Sequence, residues 1–249
     1  MLIDVHAHLD DPVFDKDLAR VIDDAKKAGL RLIISAGINH DSNLKTLEIA
    51  KKYKDLVLPS LGLYPIDAEF LTKEEIDNEI KFIASKKPKV LGEVGLDGKY
   101  GKDMGKQEYA FRKFLFLAKK LDIPIVIHAR NAEHKVLKIL EEINHNKVIL
   151  HCFTGNKSLI EKANKLGCYF SIPSIICRDQ HFQMLVSMIN IHKLLTETDS
   201  PVLSPFPNKK NEPKNVRECI HWISKIKNIT PEETKKIIFM TAQKLFLKR

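Results

Sequence analysis

Histidines and carboxylates that could bind metal ions recur at the ends of short apolar runs. His6 and His8 stand two residues apart at the end of the first run, Leu2–His8. Side chains two apart on a strand point to the same face, about 6–7 Å from each other, so both imidazoles could reach one ion. Taken alone, the pair is more typical of hydrogen-bonded histidines on a half-buried strand. The metal hypothesis therefore depends on further ligands.

Glu93 is a carboxylate within the apolar run Val90–Leu96, flanked by Gly92 and Gly95. A buried, unpaired carboxylate is costly, so it needs a cation, either a basic side chain or a metal ion. The histidines favour the metal ion. Because a carboxylate has two oxygens, we expect Glu93 to bridge two ions.

Three more candidates end later runs. His128 and His151 each terminate an apolar run, and Asp199 follows another. Either histidine alone is more typical of a core residue, but together they indicate the imidazoles of a second ion. Asp199 is either a turn cap or a carboxylate that binds metal and accepts a proton from the attacking water. Glu197, two residues earlier on the same face, is expected to lie deeper and to support Asp199.

Eight apolar, β-branched runs alternate with segments of helical period such as Met104–Leu121. This alternation predicts parallel strands and a single-domain (β/α)8 TIM barrel over residues 1–249, with an open doubly wound sheet as the alternative. The carboxyl ends of barrel strands share one face, where we expect Tyr64 beside the six candidate ligands. The runs are Leu2–His8, Leu30–Ala36, Leu56–Leu63, Val90–Leu96, Ile123–His128, Lys147–Phe153, Cys168–Ile172 and Lys193–Thr198.

Amphipathic segments over Lys214–Ile226 and Pro231–Leu247 predict two final helices. Thr230, Pro231 and Glu233 form a helix start with a hydroxyl cap and an acidic residue three positions on. The other histidines are interpreted as surface or capping residues: His40, His134, His145, His181, His192 and His221.

Composition places the chain among globular proteins. It has 249 residues, 44% of them hydrophobic and 29% charged, and a formal net charge of +9. The surplus either attracts a polyanion such as DNA or reflects a lysine-rich surface. The spacing of the four cysteines predicts reduced, packed thiols. Without a leader or a long apolar stretch, we expect a cytoplasmic protein that needs no membrane or obligate protein partner.

Five segments carry a resemblance to a known family: Asp4–Asp10, Gly92–Asp97, Ile127–Arg130, His151–Gly155 and Glu197–Pro201. Through them the chain resembles, across nearly its whole length, the TatD family of metal-dependent deoxyribonucleases. The resemblance implies a TIM barrel that cuts DNA with divalent ions. It implies that His6, His8, Glu93 and Asp199 hold one ion, and that Glu93, His128 and His151 hold another.

Two positions depart from the family pattern. Tyr64 and Ile66 replace the histidines of the usual Gly-Leu-His-Pro-His segment, which changes substrate contact or a third ion at that corner. Thr241 stands where the family usually has asparagine. Because Thr241 lies in a predicted helix, we expect it to alter capping or packing and not catalysis.

The predicted reaction is hydrolysis of DNA phosphodiesters with two divalent ions, Mg²⁺, Mn²⁺ or Zn²⁺, favouring exonuclease action on single-stranded ends. Asp199 and Glu93 are the expected catalytic residues, with Asp199 as general base. Arg130 is the expected phosphate clamp, because its planar fork binds two oxygens. Tyr64 either stacks on a base, donates to a phosphate or simply packs.

Two alternatives stay open. One is an amidohydrolase-type enzyme acting on a small cyclic amide, lactone or phosphoester, although such sites often bridge their metals with a carboxylated lysine. The other is a non-catalytic nucleic-acid-binding protein whose basic surface binds and whose polar cluster is structural.

Overall fold

The computed structural model describes residues 1–247, in which eight strands alternate with helices. The strands are β1 (Leu2–Ala7), β2 (Leu30–Ala36), β3 (Val57–Ser60), β4 (Leu91–Asp97), β5 (Ile125–Arg130), β6 (Val148–His151), β7 (Tyr169–Pro173) and β8 (Leu194–Glu197). The helices are α1 (Leu18–Lys27), α2 (His40–Lys52), α3 (Pro65–Glu69), α4 (Lys73–Ser85), α5 (Met104–Leu121), α6 (Glu133–Ile143), α7 (Lys157–Lys165), α8 (Gln180–Met188), α9 (Arg217–Lys227) and α10 (Pro231–Ala242).

Each predicted strand is present. The bounds of β2 and α5 match the prediction residue for residue, and the hydroxyl of Thr230 caps α10 as expected. The last two helical segments are less regular than predicted. A 3-10 turn over Pro213–Val216 precedes α9, and a π-helical turn over Gln243–Leu247 follows α10. Such changes of hydrogen-bond pattern are common at helix ends, where periodicity carries little information.

The first of two compact units contains Met1–Ser35, Lys45–Leu58 and the residues from Phe170 on. Within it, β1 pairs in parallel with β2, and β7 pairs in parallel with β8. Ala7 at the end of β1 also forms a parallel bridge to Ser200. The carboxyl end of β1 is therefore joined to the segment that follows β8.

The second unit contains Ala36–Leu44 and Pro59–Tyr169. Here β4, β5 and β6 pair in parallel, with Gly95 of β4 opposite His128 of β5. The φ of Gly95 is +151°, and an added Cβ would overlap the carbonyl oxygen of His128. Glycine therefore lets the two strands approach closely at His128.

The cysteines and the apolar character of the helices bear on two expectations drawn from the composition. None of the four cysteines forms a disulfide; Cys168 and Cys219 are buried, and Cys152 and Cys177 are partly exposed. Among the helices of residues 1–247, none has both the length and the apolar character that a membrane span requires.

Candidate metal centre

Three of the predicted ligands converge in the first unit. The Nε2 atoms of His6 and His8 are 3.2 Å apart. The Oδ1 atom of Asp199 lies 3.6 Å from His6 Nε2 and 3.4 Å from His8 Nε2. Two imidazoles and one carboxylate at this spacing form a donor set that fits one divalent cation.

Backbone hydrogen bonds hold this group in place. The N–H of Asp199 donates to the carbonyl of His6 over 2.9 Å, and the N–H of His8 donates to the carbonyl of Ser200 over 2.8 Å. Asp199 adopts a left-handed φ of +53°, which aspartate tolerates better than most residues. The segment after β8 therefore extends the ladder of β1 and brings Asp199 to the two histidines.

Asp4, which was not among the predicted site residues, supports the same group. Its fully buried carboxylate accepts hydrogen bonds from the N–H of His6 (3.2 Å) and from the N–H (2.9 Å) and hydroxyl (2.5 Å) of Thr198. Burial raises the pKa of Asp4 to about 8, although these hydrogen bonds oppose the rise. Asp4 thus fixes the backbone beside both His6 and Asp199.

The other predicted ligands meet in the second unit. Glu93 Oε1 lies 2.9 Å from His128 Nδ1 and 3.7 Å from His151 Nε2. The three residues are at most 5% exposed, and the two imidazole rings are stacked with centroids 6.1 Å apart. The carboxylate and both imidazoles are therefore adjacent, as predicted, while their role as metal ligands stays a prediction.

A second carboxylate contacts His128 from the other side. Oδ2 of Asp97, the last residue of β4, is 3.1 Å from His128 Nε2. Burial disfavours the charged form of Asp97, but hydrogen bonds from His128 and from the N–H groups of Tyr100 and Lys99 outweigh it and hold the pKa well below its usual range. Burial likewise disfavours charged His128, but the carboxylates of Asp97 and Glu93 raise the pKa of His128 overall.

The two predicted substrate-binding residues have different surroundings. The half-buried Tyr64 donates its hydroxyl to Asp97 Oδ2 over 3.2 Å, and its ring centroid lies 5.0 Å from that of His128. Burial raises the pKa of Tyr64 above its ordinary value, so the phenol keeps its proton. Arg130, the last residue of β5, places its guanidinium 5.6 Å from the ring centroid of Tyr100. Neither contact was predicted.

Two further residues that the sequence analysis interpreted are Glu197 and His145. Glu197 is fully buried and accepts a hydrogen bond from Ser171, while its predicted support of Asp199 stays a prediction. The interpretation of His145 as a surface or capping residue is wrong. His145 is only 8% exposed, and its Nε2 is 2.9 Å from the carbonyl oxygen of Ile123. The position of His145 in a predicted loop did not indicate that its imidazole ring is buried.

Known proteins match this chain over nearly its full length. The profile described as TatD related DNase matches residues 3–247. The chain belongs to this family. An uncharacterized metal-dependent hydrolase of Methanocaldococcus jannaschii is 37% identical, with 99% of this chain and 97% of the relative covered. A human deoxyribonuclease, TATDN3, is 33% identical, with 99% and 95% covered.

A solved structure supports the fold. The TatD homologue YJJV of Escherichia coli superposes with a TM-score of 0.91 at 23% identity, covering 100% of this chain and 98% of that one. The predicted fold class, a (β/α)8 TIM barrel, is thereby confirmed. The profile match and the two relatives confirm the predicted family.

Proposed function

We propose that this TatD-family chain is a divalent-metal-dependent deoxyribonuclease that removes nucleotides from single-stranded DNA ends. The observation that carries the proposal is the pair of imidazole and carboxylate sets, each gathered in its own unit from separate strands. The family membership and the name of the human relative, a deoxyribonuclease, support the same reaction.

Imidazole and carboxylate donors are ligands for Mg²⁺, Mn²⁺ and Zn²⁺, and we propose that two such ions bind here. His6, His8 and Asp199 would hold one, and Glu93, His128 and His151 would hold the other. Bound divalent cations polarise phosphoryl oxygens and lower the pKa of a bound water molecule towards neutral pH. The bridging role of Glu93 stays a prediction.

The protein's own residues would bind DNA and move the proton. Asp199 accepts a proton from the attacking water, and its side chain is 12% exposed. Arg130 binds two phosphate oxygens through its planar guanidinium. The net charge of +9 attracts the polyanion to the protein.

The first test compares cleavage of a fluorescent single-stranded oligonucleotide by metal-stripped and metal-reloaded protein. Reloading with Mg²⁺, Mn²⁺ or Zn²⁺ should restore activity, and Asp199→Asn should lower kcat by about 100-fold or more. Asp122→Asn is the matched control, because Asp122 is exposed and also has a left-handed φ, of +52°. If Asp199→Asn cleaves as fast as the control, the assigned reaction fails.

Substrate form tests the finer specificity. An exonuclease should shorten linear single-stranded DNA stepwise and leave a covalently closed circle intact. Cleavage of the circle would contradict the single-stranded-end assignment. Retained DNA binding without cleavage or bound metal would favour the non-catalytic alternative, and turnover of a lactone or cyclic amide alone would favour the amidohydrolase-type one.

A further inference from the structure

Asp97 is completely buried, and four polar groups contact its carboxylate. Its Oδ1 accepts the backbone N–H groups of Lys99 (2.8 Å) and Tyr100 (2.9 Å). Its Oδ2 accepts the hydroxyl of Tyr64 at 3.2 Å and lies 3.1 Å from His128 Nε2. One oxygen therefore anchors the carboxylate to its own loop, and the other faces two side chains.

The two ring nitrogens of His128 face different partners. Nε2 faces Asp97, whereas Nδ1 lies 2.9 Å from Glu93 Oε1 in the candidate ligand set. A neutral imidazole carries one N–H and one lone pair, and the hydrogen bond at one nitrogen selects which role the other takes. Only the nitrogen with the lone pair can bind a cation.

We infer that Asp97 is a positioning residue that keeps the proton of neutral His128 on Nε2 and so leaves Nδ1 to bind the divalent cation. The inference rests on the proposed function, because it concerns the ion that Glu93, His128 and His151 would hold. Both ring nitrogens face a carboxylate, but a bound cation would take the Glu93 oxygen beside Nδ1, whereas Asp97 would still accept the hydrogen of Nε2. An ionised carboxylate has no hydrogen to donate, so Asp97 selects the Nε2–H tautomer more strongly than a neutral group.

Tyr64 completes the arrangement. Its hydroxyl is 3.5 Å from His128 Nε2 but donates to Asp97, so it orients the same oxygen that receives the His128 proton. Tyr64 is the N-cap residue of α3, whereas Asp97 is the last residue of β4. Tyr64 thus ties a separate element to the carboxylate and limits its rotation.

The test observes His128 directly by nitrogen-15 NMR during a zinc titration of the full-length protein. In the wild type, zinc should bind Nδ1 while Nε2 remains protonated. In Asp97→Asn, whose amide can present either its oxygen or its NH₂ group, we expect a mixed or reversed tautomer. The zinc concentration that half-saturates the His128 signals should rise about 10- to 100-fold.

Two further variants make the outcome interpretable. Tyr64→Phe removes one hydroxyl from an otherwise similar ring, and should raise that zinc concentration about three- to tenfold. Asp67→Asn is the matched control, because Asp67 is a half-buried carboxylate in α3 that pairs with Asn39. It should leave both the tautomer and the zinc affinity unchanged.

The possible failures are distinguishable. If wild-type protein binds no divalent cation, the proposed function fails. If it binds zinc, and Asp97→Asn and Tyr64→Phe both retain the wild-type tautomer and affinity, the role of Asp97 is overturned while the proposed function stands. If Asp97→Asn does not fold, Tyr64→Phe alone decides, and wild-type affinity in that variant overturns the inference.

Discussion

Asp4 shows how one buried side chain can set the position of several ligands. Its carboxyl group accepts one hydrogen bond from the candidate ligand His6 and two from Thr198, which precedes the candidate ligand Asp199. Loss of an acceptor in a buried site leaves donors unsatisfied, which costs about 1–3 kcal/mol for each group. The energetic role of Asp4 is therefore structural, even though it contacts the backbone of the candidate ligand His6.

Replacing Asp4 with alanine should lower the free energy of unfolding by about 3 kcal/mol, because the donors of His6 and Thr198 lose their partner. Chemical denaturation of metal-free protein measures the change. Asp11→Ala provides the comparison, because the Asp11 carboxylate accepts a hydrogen bond from the N–H of Val13 at an exposed site. Equal destabilisation by the two variants would contradict the proposed importance of Asp4.

Residue types and run ends were enough to select the six candidate ligands, because strand ends of a parallel fold share one edge. The supporting carboxylates were missed. The reasoning applied to Glu93, that a carboxylate in an apolar strand needs a partner, applies equally to Asp4 and Asp97, which also lie in strands. What the sequence did not reveal is which donor each carboxylate meets, because those partners lie 31 or more positions away in the chain: Tyr64, His128 and Thr198.

At the scale of elements, an ion-pair network joins α1 to the segment before α9. Arg20 of α1 contacts Glu212 at 2.7 Å, and Lys214 contacts the same carboxylate at 2.8 Å. Burial disfavours the charge on Glu212, but hydrogen bonds from Arg20 and Lys214 outweigh it and lower the pKa below the ordinary value of 4.5. A contact across 192 positions leaves no local pattern in the sequence, so this network was not predicted.

This network predicts a pH-dependent contribution to stability. Because the pKa of Glu212 is lower in the folded state, its contribution is full above the ordinary pKa and disappears as pH falls through the folded-state pKa. Glu212→Gln should therefore lower the unfolding free energy by about 1 kcal/mol at pH 7, and the difference from wild type should shrink below about pH 4.

Urea unfolding at pH 7 and at pH 3.5 measures the Glu212 effect. Glu232→Gln is the control, since Glu232 makes an exposed pair with Lys235 within one turn of α10 and should have no measurable effect at either pH. If the unfolding free energies of Glu212→Gln and the wild type differ by the same amount at both values of pH, the assigned role of the carboxylate is refuted.

At the scale of the whole molecule, charge distinguishes a nucleic-acid enzyme from one that acts on a small neutral substrate. The chain carries 41 basic and 32 acidic residues. Each phosphate neutralised on single-stranded DNA releases counterions, so binding weakens with salt by about 0.7 logarithmic units per contact for each tenfold rise in salt concentration. A neutral ester or lactone has no such dependence. Salt therefore separates the proposed substrate class from the amidohydrolase-type alternative.

For single-stranded DNA, we expect KM to rise about 20-fold between 50 and 200 mM NaCl, with kcat nearly constant, because salt weakens the phosphate contacts of Arg130, Lys99 and Lys102 and not the chemical step. The exposed Lys99 and Lys102 follow β4 on the side of the candidate ligands. Replacing both with alanine should reduce the slope of log KM against log salt by about 1.4. Alanine at the exposed Lys26 and Lys27, which end α1, should leave it unchanged. Equal slopes in all three proteins would show that the loop after β4 does not contact DNA.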